Sequence, residues 1–167
     1  MLELHVDQIT LPDGSRVTRE IVSHPGAAAV VPILPDGVLL VRQYRHAVRS
    51  YLWEIPAGKL ELGEKPLCCA QRELAEETGY VAKDWAELAS FYTSPGFSDE
   101  QITLFHASDL QKETSRRTDE IADCRVFPLP HIEQMILRSK ITDAKTILAI
   151  AWIGRRLSEG GQPVRAS

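Results

Sequence analysis

Three glutamates, Glu73, Glu76 and Glu77, stand at i, i+3 and i+4. At about 100° per residue on a helix they share one narrow face. Like charges at this spacing repel and cost an isolated helix a few tenths of a kcal/mol per pair, roughly. Glu61 and Glu64 add acid just upstream, while Arg72 offsets one charge through its i, i+4 spacing to Glu76. A run of glutamates is ordinarily a solvated helix face. A hard divalent cation gives this crowding a better reason. Magnesium takes oxygen ligands, commonly one or two carboxylates with water and substrate phosphate. Gly58 follows Pro56-Ala57, where the chain must turn close beside the helix, and a backbone carbonyl there could complete the shell.

The elements that would hold these groups can be read around them. A helix is predicted from about Lys65 to Thr78, with Pro66 in its first turn and Gly79 just past its end, as helix boundaries prefer. Upstream, Leu2, Leu4, Val6, Ile9 and Leu11 largely alternate with polar residues. Pro12-Asp13-Gly14 is a turn signal, and Arg16 to Val22 reads as the returning strand. Ala27 to Leu34 and Val38 to Tyr44 are apolar runs about Pro35-Asp36-Gly37, which fits buried strands. Further strands are expected at Leu52 to Ile55, Glu87 to Tyr92, Gln101 to Ala107 and Cys124 to Pro128, with Asp109 to Asp123 as a polar loop. Helices are expected at His131 to Arg138 and Thr142 to Leu157. In the last, Ala144, Ile147, Leu148, Ala151 and Trp152 form a stripe read as its packing face. The division that follows is an N-terminal hairpin extension over 1–24, a mixed α and β domain over 25–160 and a flexible tail over 161–167.

With 167 residues, 44% hydrophobic and 25% charged, the chain has the composition of an ordinary soluble domain. A net charge of -4 gives no electrostatic reason to expect nucleic acid or an acidic membrane. No apolar run reaches the roughly 18 residues of a membrane span, and the N-terminus lacks the pattern of a signal peptide. Cys68, Cys69 and Cys124 form neither a disulfide framework nor a zinc spacing. A cytoplasmic protein with reduced thiols is expected. No Ser/His/Asp or Cys/His constellation suggests a covalent nucleophile.

From Gly58 to Tyr80 the segment reads GKLELGEKPLCCAQRELAEETGY. It resembles the Nudix signature: a glycine, five residues, a glutamate, seven residues, then Arg-Glu-aliphatic-any-Glu-Glu-any-Gly-aliphatic. Gly58, Glu64, Arg72, Glu73, Leu74, Glu76, Glu77 and Gly79 match it. Tyr80 stands where the family usually has an aliphatic residue. The resemblance implies an α+β fold, the Nudix α/β/α sandwich with a mixed sheet, carrying the N-terminal β-hairpin extension. It implies Glu73 and Glu77 as main metal ligands, Glu76 contributing to the first shell or a second ion, and the Ala57 carbonyl as a backbone ligand. Arg72 would orient the glutamates and Glu64 would brace Arg72. The cofactor implied is Mg2+, with Mn2+ or another divalent cation as alternatives, and the reaction is attack of water on a diphosphate phosphorus.

Other segments are similar to the ADP-ribose pyrophosphatase branch: Pro95, 15 positions past Tyr80, Val41 to Arg45, Trp53 to Glu61, and Ile141 to Thr146. By this resemblance Arg45 holds phosphate, Glu100 binds the terminal ribose, and Arg19 reaches the substrate, in its own or the other subunit. The branch places its general base on the loop before the last strand. Glu120, next to Ile121, is the first choice and Glu113 the second. A homodimer paired through the extension is expected, with a small nucleotide as substrate. One feature departs from the branch: residues 1 to 30 contain no Phe, Tyr or Trp to stack an adenine. Another nucleotide sugar such as GDP-mannose therefore stays open. So does an oxidised nucleoside triphosphate, against which the Pro95 loop argues. A non-catalytic nucleotide-sensing module would be expected to lose box glutamates, and here all are kept.

Overall fold

A computed structural model describes residues 2–113 and 119–158; the tail expected over 161–167 lies outside them. Strands β1 (Glu3–Thr10) and β2 (Arg16–Ser23) pair antiparallel, from Glu3 opposite Ser23 to Thr10 opposite Arg16. This hairpin is a sheet of its own. Every residue of β1 is exposed, including Leu4 at 70%. The hairpin is tied to the rest at its base, where the Val22 N–H donates to the Phe97 carbonyl (2.7 Å).

The central strand is β3 (Ala27–Leu34). It runs parallel to β8 (Gln101–Lys112), antiparallel to the short β6 (Ala57–Lys59), and joins β4 (Gly37–Arg45) through a tight hairpin. Strand β7 (Tyr80–Tyr92) pairs antiparallel with β8, while β5 (Ser50–Glu54) and β9 (Ile121–Phe127) flank β4. Seven strands thus make one mixed sheet.

Both faces of β3 are covered, which is why it reads as an unbroken apolar run. Ala28 and Val30 face α1 (Pro66–Thr78), where Cys69, Ala70 and Leu74 are fully buried. Ala27, Ala29 and Val31 face the other way, against Ile132 of α2 (Leu129–Leu137) and Ala149, Ile150 and Ile153 of α3 (Ala144–Ser158). The result is the expected α/β/α sandwich. Burying a side chain such as Leu40, Leu74 or Leu104 contributes roughly 1.5–3 kcal/mol. Among the described residues no helix is long and apolar enough to cross a membrane.

Three expectations need correction. The polar segment from Asp109 to Asp123 is not all loop: β8 continues to Lys112 and β9 begins at Ile121. The two long strands β7 and β8 pair from Tyr80–Lys112 to Tyr92–Gln101. Their ladder is satisfied by backbone, so polar side chains at its far end need no core. Strand β7 also starts at Tyr80 rather than Glu87, with a register shift near Glu87 and Ala89 that breaks the alternation. Finally, the packing face of α3 is rotated by about half a turn. Thr146, Ala149, Ile150 and Ile153 are buried, while Ala151 and Trp152 are exposed. The helix is apolar on more than one stripe, and its rotation is set by Thr146, whose Oγ1 accepts the Ile55 N–H (2.9 Å).

Candidate active site

Helix α1 ends at Gly79, whose φ of 72° is left-handed and whose N–H caps the Ala75 carbonyl (2.9 Å). Two residues earlier, Glu77 points back toward β6. It is 6% exposed, and its Oε2 accepts the Ala57 N–H (3.1 Å). Burial, aided by the nearby Glu73 charge, pushes the Glu77 carboxyl up to about 8. Burial raises Glu73 as well, against the pull of Arg72.

Arg72 is a hub. Its Nε and Nη2 donate to Glu64 (3.0 and 2.9 Å), and Nη1 donates to Glu73 Oε1 (2.7 Å) and, more weakly, to Glu76 Oε2 (3.4 Å). The hydrogen bonds from Arg72 hold the Glu64 carboxyl down near 2. Glu64 also accepts the Glu61 N–H (2.9 Å), so the loop before the helix is fastened to the same guanidinium. The Cys69 thiol lies between the Gly58 and Lys59 carbonyls (both 3.5 Å). Burial and the Glu64 charge push it up to about 12, so it stays a neutral donor. Gly58 is required by contact: a Cβ there would lie 1.8 Å from Glu73 Oε1.

Of these, Ala57, Gly58, Glu73 and Glu77 line a cleft of about 580 Å³. Arg45, Lys145 and Asp143, built around Glu54, line the same cleft. Burial acts to raise Glu54, but hydrogen bonds from Arg45 and the charge of Lys145 outweigh it, and its carboxyl is lowered. Arg45 is raised by the same bonds. Glu120 lines the cleft too, and its Oε2 accepts from Gln43 Nε2 (3.0 Å). At one end Glu100 accepts from Thr93 Oγ1 (2.5 Å) and lies 3.3 Å from His24 Nε2. The Asp99 carboxylate holds that end to the hairpin, accepting the His24 N–H (2.6 Å) and the Ser23 hydroxyl (3.2 Å).

The fold therefore brings Ala57, Glu73, Glu77, Arg45, Glu100 and Glu120 to one cleft, with Arg72 and Glu64 directly behind Glu73. It does not bring the others. The Glu76 side chain is 47% exposed and off the lining. Arg19 is exposed on β2 opposite Asp7. Pro95 is exposed in the turn that offers Phe97 to Val22 and does not line the cleft. Glu113 lies outside, its N–H donating to the Gly79 carbonyl (2.8 Å).

Sequence reasoning missed His24, Gln43, Glu54, Thr93 and Lys145. Glu54 and Lys145 carried a signal: each is charged and flanked by residues that read as core.

Among the described residues, no three Asp, Glu, His or Cys side chains already stand as a metal cage. Glu73 is engaged by Arg72 and Glu76 faces out. The residues nevertheless fit a hard cation. Two partly dehydrated carboxylates face the cleft, both raised by burial, beside a glycine whose missing Cβ leaves room only for Glu73. With only two carboxylates and a carbonyl from the chain, the rest of a six-oxygen shell falls to water and substrate phosphate.

Comparison with known proteins agrees with this geometry. The NUDIX domain family matches residues 23–149. An ADP-ribose pyrophosphatase of Bacillus subtilis (strain 168) is 40% identical over 157 residues, covering 92% of this chain and 85% of the relative. A methanol dehydrogenase activator of Bacillus methanolicus is 43% identical over 157 residues, with the same coverage. A crystal structure of an ADP compounds hydrolase superposes with a TM-score of 0.86 at 25% identity, covering 96% of this chain and 89% of that one.

Proposed function

The chain belongs to the Nudix family of hydrolases, and from that premise we propose that it hydrolyses the diphosphate of ADP-ribose or a related ADP-sugar to AMP and a sugar phosphate. The observation that carries this reading is the cleft itself, lined by the paired acids Glu73 and Glu77 and by the cations Arg45 and Lys145. Such a cleft suits a polyanion that arrives with a divalent cation. The name of the Bacillus subtilis relative supports the substrate.

In this reading Glu73, Glu77 and the Ala57 carbonyl hold Mg2+, or Mn2+ in its place. When bound, the cation neutralises diphosphate oxygens and acidifies water. The remaining work falls to the chain. Arg72 fixes the Glu73 carboxylate and Glu64 fixes Arg72. Arg45 orients the diphosphate with charge-assisted bonds. Glu120, steadied by Gln43, takes the proton as water attacks phosphorus and the bridging P–O bond breaks. Glu100 and His24 receive the terminal sugar. Residues 1–24 are read as the dimer-forming extension and 25–160 as the catalytic domain. The exposed apolar face of β1 supports a homodimer, in which Arg19 of one copy could approach the other's cleft. Three free cysteines fit the cytoplasm.

A second reading, another nucleotide sugar, is favoured by one observation. Among the described residues lining the cleft there is no Phe, Tyr or Trp to stack an adenine. The test is incubation with Mg2+ and, separately, ADP-ribose, ADP-glucose and GDP-mannose, with products resolved by phosphorus NMR. AMP and ribose 5-phosphate from ADP-ribose, abolished by chelator, are expected. Cleavage of GDP-mannose alone would replace the first reading with the second, and no cleavage of any would overturn both.

A further inference from the structure

Two cations that line the cleft with Glu77 converge on one buried acid. Glu54, the last residue of β5, is 1% exposed. Its carboxylate accepts from Arg45 Nε (2.8 Å) and Nη2 (2.7 Å), and also from Lys145 Nζ. Lys145 Nζ donates in turn to Asp143 Oδ1 (2.9 Å). Asp143 is itself fixed at the start of α3, where Oδ2 accepts from the Thr146 N–H (3.0 Å) and hydroxyl (2.6 Å). The Lys145 side chain is 12% exposed, and what it exposes lies on the cleft.

A stitch between β5 and α3 does not explain this cluster. Thr146 already joins the two through the Ile55 N–H and Asp143. A buried ion pair is a poor stabiliser, because desolvation cancels most of the attraction and apolar packing does as well. Nor does the cluster exhaust its donors. A guanidinium has five N–H groups and an ammonium three; here two of each are engaged. The remainder belong to side chains that line the same cleft.

We propose that Lys145 is a second diphosphate-binding cation beside Arg45, and that Glu54 is the positioning residue that holds both in register. This deepens the pyrophosphatase reading and rests on it. A diphosphate carries non-bridging oxygens on two phosphorus atoms, and two fixed cations can engage one on each. The pair then sets where the scissile bond lies relative to Glu73 and Glu77. Glu54 prevents the two cations from repelling each other apart while the cleft is empty, and it spares the substrate the entropic cost of ordering them.

The test uses Lys145→Met, Lys145→Arg, Glu54→Gln and the double variant Glu54→Gln/Lys145→Met. The readouts are calorimetric affinity for inorganic pyrophosphate, melting temperature, and kcat and KM for ADP-ribose. Lys145→Met is expected to weaken pyrophosphate binding and raise KM by about 10–100-fold, the worth of one charge-assisted bond, with kcat changed far less. Lys145→Arg should regain most of that loss. Glu54→Gln leaves Arg45 without its acid and Lys145 with Asp143 alone, and should lower the melting temperature. The double variant should recover stability but not affinity, which a purely structural role would not produce. Pyrophosphate affinity and KM at wild-type levels in Lys145→Met would overturn the proposal. If the wild type binds pyrophosphate through Lys145 yet leaves ADP-ribose intact, the substrate reading fails and the cation pair stands.

Discussion

Glu77 and Glu54 are both buried glutamates at one cleft, in opposite charge balance. Glu54 has two cations in contact, and its carboxyl is lowered despite burial. Glu77 has one backbone N–H, a neighbouring glutamate, and a carboxyl raised to about 8. The difference lies in partners rather than in depth. The Glu54 carboxylate is satisfied without a ligand. Glu77 has no cation in contact: Arg72 is engaged by Glu73 and Glu64, and Arg45 and Lys145 offset the burial of Glu77 only in part and through space. The two acids are therefore expected to respond differently to substitution, to cation and to pH.

The largest effect is expected at Glu77. Glu77→Gln keeps the shape but removes the charge, so turnover at saturating divalent cation should become undetectable while circular dichroism stays native. Near-normal kcat would break the comparison at its root. Next comes the loop acid of the cleft. Glu120→Gln should lower kcat by about 10²–10⁴-fold with binding nearly unchanged. Glu113→Gln, placed outside the cleft, should be close to wild type; the reverse pattern would move the base to Glu113. Smaller still is Gly58→Ala. Its Cβ must displace the Glu73 carboxylate, so the half-saturating cation concentration should rise by about 10–100-fold, as when a ligand's support is lost. An unchanged cation requirement would show that Glu73 does not contribute.

The smallest effect is on stability. Glu77 titrates near 8 in the fold, above its ordinary 4.5, so the folded chain binds that proton more tightly than the unfolded one. This stabilisation is complete below about pH 4.5 and is lost as pH rises through 8. With chelator present, the melting temperature should fall by several degrees across that window, and divalent cation should restore more of it at high pH than at low. A chelated protein whose melting temperature rises over the same window would contradict the raised carboxyl.

The metal wall was legible in the sequence because it is local. Gly58, Glu64, Arg72, Glu73 and Glu77 fall within 23 residues, and helical periodicity alone puts the glutamates together. The hairpins and the doubly buried β3 were legible for the same reason. Of the cation wall only Arg45 was named, through the resemblance, and its coupling to Lys145 was not. Arg45 and Lys145 are 100 positions apart, and only the packing of α3 against β5 joins them through Glu54. The rotation of α3 was misread because Ala151 and Trp152 are as apolar as Ala149 and Ile150, and the deciding contact is a threonine hydroxyl. Gln43 lay within the segment Val41 to Arg45, but its role did not show, since an amide on an apolar strand looks like an exposed position until Glu120 is seen beside it.

The central claim, that Glu73 and Glu77 are the cation site while Glu54 is already satisfied, is tested most directly by Mn2+ binding to the substrate-free protein, followed by electron paramagnetic resonance. The account predicts saturable binding to the wild type that tightens as pH rises toward 8 and weakens at least about tenfold in Glu77→Gln. Binding of equal strength in Glu77→Gln would contradict it.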